Sequence, residues 1–196
     1  DINAITDKPS GVAFDGKNYL VADNQNDRIV VIDRNGVLIR ALSTTAIDTL
    51  PIGIGFDGKN ILLCGSENDK IYIMDRNGAL IRAISLSGIT TVPRGIAFDG
   101  KNYLVVDNQN NRVVILDRNG TLIRALNVAA IDNQPSGLGF DGKNILMSGS
   151  QNNKIYVLDR DGTLIRTLSV TSTQSDIGGV AFDGKSIAYT DYTLGE

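Results

Sequence analysis

PRGIAFDGKNYLVVDNQNNRVVILDRNGTLIRALNVAAIDNQ, residues 93–134, is the stretch that decides the architecture. It holds four short apolar runs, at 95–98, 103–106, 112–116 and 121–126. Their β-branched and aromatic content suits pleated strands, and they are too short for stable helices. Runs one and two are joined through Asp99-Gly100-Lys101, runs three and four through Arg118-Asn119-Gly120. Asp-Gly and Asn-Gly are the dipeptides that supply the positive φ of tight hairpin turns. The other two connections, 108–111 and the segment after run four, are looser. In an up-and-down sheet alternate connections share an edge, so the tight turns occupy one rim and the loose loops the other.

The same unit recurs along the chain. All four prolines (Pro9, Pro51, Pro93, Pro135) and all five phenylalanines (Phe14, Phe56, Phe98, Phe140, Phe182) step by 42 residues. Looking for such a period comes first, because it determines the fold class. The repeats run 9–50, 51–92, 93–134 and 135–176, with a partial one at 177–196, in one domain spanning 1–196. A lone four-stranded meander cannot cover both faces, whereas several packed radially around an axis bury them. The chain is therefore expected to be all-β, a β-propeller of four-stranded antiparallel blades, five in number with the last incomplete. A stacked solenoid is the alternative, although its repeats usually hold one or two strands or a helix pair. Closure has three readings: a five-bladed ring with a thin last blade, part of a larger ring, or completion by another chain. An unfilled sheet edge invites pairing, so homo-oligomerisation through the fifth blade is one expectation.

The residues Pro93-Arg94-Gly95-Ile96-Ala97-Phe98-Asp99, then Val106-Asp107-Asn108-Gln109-Asn110-Asn111-Arg112-Val113, resemble the NHL repeat. The resemblance covers the whole unit and recurs in all four complete repeats. It implies a propeller. It is not specific for function, because propellers of that kind serve unrelated purposes.

Composition narrows the function. Formal charge is −3, from 19 basic and 22 acidic residues spread along the chain. No basic block is present to track a phosphate backbone, so nucleic acid is not an expected partner. Apolar runs such as 29–32 fall far short of the ~20 residues that span a bilayer. Cys64 is the single cysteine and has Ser148 as its counterpart, which marks it as a small strand side chain rather than a nucleophile. Histidine is absent, which removes histidine-held zinc and histidine general bases. The first residue, Asp1, reads as a processed or excised start; that favours an extracellular or cell-surface setting, and the absence of disulfides points the other way.

Two blade types alternate. Repeats one and three share the pattern ADNQNDRIVVID and VDNQNNRVVILD; repeats two and four share CGSENDKIYIMD and SGSQNNKIYVLD. The candidate ligand-binding residues lie in the loose loops: Asp23, Asn24, Gln25 and Asn26; Glu67 and Asn68; Asp107, Asn108, Gln109 and Asn110; Gln151 and Asn152. Their paired donors and acceptors suit polar ligands, and equally suit bonding to the loop backbone that holds the turn. Asp15, Asp57, Asp99, Asp141 and Asp183 read as turn residues. Arg28, Lys70, Arg112 and Lys154 read as ion-pair partners, and Arg40, Arg82, Arg124 and Arg166 as charges that blunt an outer edge. The expected function is a non-catalytic binding scaffold contacting a protein through one rim, without metal or cofactor. A multivalent glycan-binding lectin and a self-assembling repeat domain are the alternatives. Near-identical blades offer little asymmetry for a general acid–base pair, so an enzyme is not expected.

Overall fold

The structure, a computed structural model, describes residues 5–6, 8–48, 50–65, 68–90, 92–150, 152–170 and 176–191. Four sheets are four-stranded meanders in up-and-down order. Blade 1 comprises β1 (Pro9–Phe14), β2 (Tyr19–Asp23), β3 (Arg28–Ile32) and β4 (Leu38–Ser43). Blade 2 comprises β5 (Pro51–Phe56), β6 (Ile61–Gly65), β7 (Lys70–Met74) and β8 (Leu80–Ser85). Blade 3 comprises β9 (Pro93–Phe98), β10 (Tyr103–Asp107), β11 (Arg112–Leu116) and β12 (Leu122–Asn127). Blade 4 comprises β13 (Pro135–Phe140), β14 (Ile145–Gly149), β15 (Lys154–Leu158) and β16 (Leu164–Ser169). Blade 5 has two strands among the described residues, β17 (Ile177–Phe182) and β18 (Ile187–Asp191).

Each first strand begins two residues earlier than the apolar run. Proline has no N–H to give to a ladder, so it is tolerated at the first position of a strand; a register shift follows it in every blade that starts with proline. The first strands line the axis, each beside the next, and β17 returns to β1, so the ring closes on itself. The expected all-β propeller is what the chain forms.

The core is a set of layers between blades. Leu20, Ile29 and Val31 of blade 1 pack on Ile54, Leu63 and Met74 of blade 2, and the same arrangement repeats for blades 2–3 and 3–4. In blades 1 to 4 the second and third strands are buried on both faces, which explains why they read as continuous apolar runs rather than alternating ones. The fourth strands are the outside of the wheel. Leu38, Ile39, Leu80, Ile81, Leu122, Ile123, Leu164 and Ile165 are all exposed there.

One glycine per blade sets the wheel's small radius. Gly11, Gly53, Gly95, Gly137 and Gly179 occupy one register position on the axial strands. A Cβ on Gly95 would lie 2.4 Å from the Ser136 carbonyl oxygen and 2.8 Å from the Leu138 nitrogen. Only a residue without a side chain lets neighbouring blades approach that closely.

Candidate functional site

The loose-loop rim is built from the connection between strands two and three and the loop that precedes the next blade. In odd blades a carboxylate at the end of strand two anchors it. Asp23 is fully buried; it accepts from Arg28 Nε at 2.8 Å and from Asn26 Nδ2 at 3.0 Å. Arg28 also donates to the Ile5 carbonyl at 2.7 Å, tying in the preceding loop. Asp107 repeats this with Arg112 at 2.7 Å and Asn110 at 2.9 Å, and Arg112 reaches the Ile89 carbonyl at 2.6 Å. A buried aspartate that lost its guanidinium would be left as an uncompensated charge, which is strongly destabilising. The basic residues at the head of strand three are thus ion-pair partners in odd blades.

Even blades move the carboxylate. Strand two ends in Gly65 or Gly149, and the acid comes from the preceding loop as Asp48 or Asp132. In blade 4 Asp132 accepts from Asn152 Nδ2 and, at 3.0 Å, from the Tyr156 hydroxyl. The asparagine stays in place through all four blades (Asn26, Asn68, Asn110, Asn152) while its acceptor changes. Where even blades have Asp48 and Asp132, odd blades have Thr6 and Thr90; where even blades have Tyr72 and Tyr156, odd blades have Val30 and Val114. The glycine is required because a side chain there would overlap the loop carboxylate. With Arg28 and Arg112 of odd blades replaced by Lys70 and Lys154 in even ones, four positions exchange together, and Asp48, Asp132, Tyr72 and Tyr156 join the site although only the alternation itself hinted at them. Burial, followed by the Asp132 carboxylate, pushes the Tyr156 phenol up to about 12.

Above this layer Gln25, Asn26, Asn68, Gln109, Asn110 and Asn152 are exposed, and Asn24 and Asn108 are half-buried. Asn108 Nδ2 donates to the Pro135 carbonyl at 2.8 Å, bridging to the next blade. Glu67 and Gln151 lie outside the described residues. The residue before strand three is left-handed in every complete blade (Asp27 φ 47°, Asp69 45°, Asn111 48°, Asn153 52°), a conformation that Asp and Asn tolerate better than other side chains. At the centre of this rim stands Arg94, with Ser10, Ile52, Ser136 and Gly178 at its register position in the other blades. It is the single cation of that set, and its Nε is buried without a hydrogen-bond partner among the described residues.

The tight-turn rim carries a second ring. Arg34, Arg76, Arg118 and Arg160 lie over Phe14, Phe56, Phe98 and Phe140 at 4.5, 4.6, 4.5 and 4.7 Å. Each also reaches the turn aspartate of the preceding blade: Arg34 to Asp183 at 2.9 Å, Arg76 to Asp15 at 3.0 Å, Arg118 to Asp57 at 3.9 Å and Arg160 to Asp99 at 3.4 Å. The aspartates do hold their own turns, as Asp15 does with the Lys17 and Asn18 amides. Their second oxygen locks blade to blade. The strand-four arginines also differ from expectation. Arg40, Arg82 and Arg124 donate to the carbonyls of Arg76, Arg118 and Arg160, so they fasten the next blade rather than blunt an edge.

The closing contact is titratable. The Ser186 and Lys185 amides, then the Tyr19 hydroxyl and the Arg34 guanidinium, hold the Asp183 carboxyl at about 2, against an ordinary 3.8. A depressed carboxyl contributes stability above its unfolded value and loses it as pH falls towards the folded one. The thermal midpoint should therefore drop between about pH 4 and pH 2, less steeply in Asp183→Asn. Tyr156 has the opposite sign: its contribution is complete below its ordinary 10.0 and fades as pH rises towards about 12. Tyr156→Phe should flatten that alkaline limb. Unchanged limbs in both variants would refute the assignment.

The axis itself is narrow. Two small cavities lie along it, ≈70 Å³ beside the phenylalanines and ≈10 Å³ beside Arg94, where ligand pockets usually measure ~300–1,000 Å³. Cys64 is fully buried, its thiol pushed up to about 12 by desolvation, and it donates to the Arg94 carbonyl at 3.4 Å. Ser148 at its register position donates to the Gly178 carbonyl at 2.5 Å, so both act as inter-blade struts. Among the described residues no three acidic or cysteine side chains converge as a metal site.

No protein-family model matches the chain, and no curated protein does. Solved structures match over nearly all of it. A glutaminyl cyclase from Myxococcus xanthus superposes with a TM-score of 0.77 at 12% identity, over 93% of this chain and 85% of that one. A catalytically inactive histidine-to-alanine variant of virginiamycin B lyase from Staphylococcus aureus, crystallised with quinupristin, gives 0.60 at 15%, over 93% of this chain and 62% of the lyase. A nidogen/laminin complex gives 0.66 at 21%, over 93% and 72%. The expectation that this chain is not an enzyme is overturned here: two of these three matches are enzymes, so a propeller of this shape is no ground for excluding catalysis. At these identities the likeness is one of fold, and that fold is the β-propeller.

Proposed function

We propose that this chain is a protein-binding propeller of NHL-like repeat type that meets its partner through the loose-loop rim. The supporting observation is the row of exposed amides at two adjacent register positions: Asn26, Asn68, Asn110 and Asn152 on four blades, with Gln25 and Gln109 before them on blades 1 and 3. Buried carboxylates beneath pin the loops that carry them, so the rim is presented by a rigid scaffold, which is where binding residues commonly sit. Asp23 and Asp107 support the surface from below. Arg94 adds one positive charge at its centre. A propeller with the same fold occurs in the nidogen/laminin complex. The glycan alternative has less behind it, because Tyr72, Tyr103 and Tyr156 are buried and offer no ring face to a sugar.

The test is photo-crosslinking from Gln25 and from Lys101, on opposite rims, followed by affinity measurement with the partner that is captured. Gln25→Arg combined with Gln109→Arg should weaken that complex about tenfold or more, while Lys17→Glu with Lys101→Glu leaves it unchanged. Capture from Lys101 alone would move the interface to the other rim. Saturable binding on a glycan array with no protein captured would replace the protein reading altogether.

A further inference from the structure

The blades act as controls on one another. At the register position that opens on the loose-loop end of the axis they carry Ser10, Ile52, Arg94, Ser136 and Gly178. A hydroxyl, an aliphatic chain and bare backbone all serve there, so the fold does not call for a guanidinium in blade 3. Every other arginine among the described residues has a structural partner. Those of the turns and of odd-blade strand three pair with carboxylates. Arg40, Arg82 and Arg124 reach carbonyls, and Arg166 acts electrostatically on Asp141. Arg94 differs. Its Nε is sealed from solvent without an acceptor, and among the described residues no hydrogen bond or ion pair engages its terminal nitrogens.

A sealed donor on a charged group is costly, and it calls for an explanation. What the arrangement lacks is an acceptor from outside the chain. The sealed stem fixes the guanidinium, and its terminal nitrogens, which are not sealed, form a fork at the axial mouth. Such a fork takes a carboxylate through two parallel N–H···O bonds. The cavity beside it, ≈10 Å³, holds one water at most, so the incoming group rests at the mouth and does not thread the axis. Charge favours a monoanion. One guanidinium neutralises one carboxylate, and Asp23, Asp48, Asp107 and Asp132, buried under the same rim, oppose a second negative charge.

We propose that Arg94 anchors a carboxylate of the partner, supplied by an aspartate or glutamate side chain or by a chain end, at the axial mouth of the loose-loop rim. This rests on that rim being the partner's surface, and it adds the chemistry the partner must present. The exposed amides around the mouth, Asn26, Asn68, Asn110 and Asn152, then bond the flanking polypeptide, whose backbone offers donors and acceptors alike. Excluding water on docking lowers the local dielectric and strengthens the ion pair.

The experiment is a magnetic-resonance titration of the nitrogen-labelled chain with sodium acetate, followed at the Arg94 Nε–H and the Gly95 amide, and it needs no partner. Both signals should shift saturably with acetate and stay put in sodium chloride of equal ionic strength. Arg94→Lys keeps the charge without the fork and should weaken acetate binding about tenfold. Arg94→Ile, which copies blade 2, should abolish binding and raise the urea midpoint at constant slope, because the sealed donor is gone. Two peptides separate the sources. Acetyl-Gly-Glu-Gly-amide offers a side-chain carboxylate alone and acetyl-Gly-Gly-Gly a terminal one alone; at least one should bind more tightly than acetate. No response to acetate, an equal response to chloride or tighter binding of inorganic phosphate would overturn the proposal. So would a lowered midpoint in Arg94→Ile, since the arginine would then serve the fold. Acetate binding without any capture from Gln25 would sink the rim reading and leave the site as one for a soluble carboxylate. Capture from Gln25 without acetate binding would do the reverse.

Discussion

Gly65→Asp should destabilise the fold by about 3–5 kcal/mol, and most of that loss should return when Asp48 is changed to threonine in the same chain. The glycine ends strand two of blade 2, and a side chain there would overlap the Asp48 carboxylate. The substitution adds a second carboxylate to one buried volume, without the guanidinium that odd blades provide. Two like charges in such a site cannot both stay ionised cheaply. Asp48→Thr, Lys70→Arg and Tyr72→Val complete the exchange, giving blade 2 the residues found in blades 1 and 3. Asn68 would then donate to the new aspartate as Asn26 and Asn110 do to theirs. Urea midpoints at constant slope measure the cycle. The quadruple variant should lie within about 1 kcal/mol of the parent. If it stays as unstable as Gly65→Asp alone, the four positions are not one exchangeable unit.

Gly95→Val should abolish cooperative folding, with an expected loss on the order of 4 kcal/mol or more. What it would strike is backbone, the Ser136 carbonyl and Leu138 nitrogen of blade 4, rather than a side chain able to swing away. Relieving the clash means pushing two blades apart along the axis, and that opens the packed layers on either side. Gly16→Ala is the contrasting change. Its φ is +92° and nothing lies near the added carbon, so backbone strain alone acts, worth about 1 kcal/mol. Similar midpoints for the two variants would show that the close axial approach does not limit the ring.

What could be read beforehand was whatever the chain writes locally. The 42-residue step of proline and phenylalanine, the Asp-Gly and Asn-Gly turns and the short β-branched runs each report on neighbours in sequence, and together they favour the propeller over a stacked solenoid. The locks between blades join residues that no local pattern links. Arg76 and Asp15 are 61 positions apart, one repeat plus the path from a strand-one turn to a strand-three turn. Arg40 looked like an edge charge because its strand is outermost; which carbonyl it meets depends on how one blade is rotated against the next. The loose-loop residues were mixed for the same reason. Asp23 and Asn26 are adjacent in type and sequence, yet one is sealed under the rim and the other faces solvent. Asp23 ends β2, whereas Asn26 lies in the short 3-10 turn that follows it.

An alternation of two kinds has a parity, and five is odd. Blade types can take turns through blades 1 to 4, but blade 5 carries Asp191 and Ala181 in register with odd blades, and its next neighbour is blade 1, odd as well. Thr190 absorbs the defect. At its register position odd blades carry Ala22 and Val106, while Cys64 and Ser148 of even blades donate to the following blade's carbonyl. Thr190 donates to the Ser10 carbonyl in the same way, at 3.3 Å. Blade 5 is odd towards the blade behind it and even towards the blade ahead. The rotational symmetry of the wheel is therefore broken once, at a defined place, and the chain's near-identical modules have a fixed order in the circle.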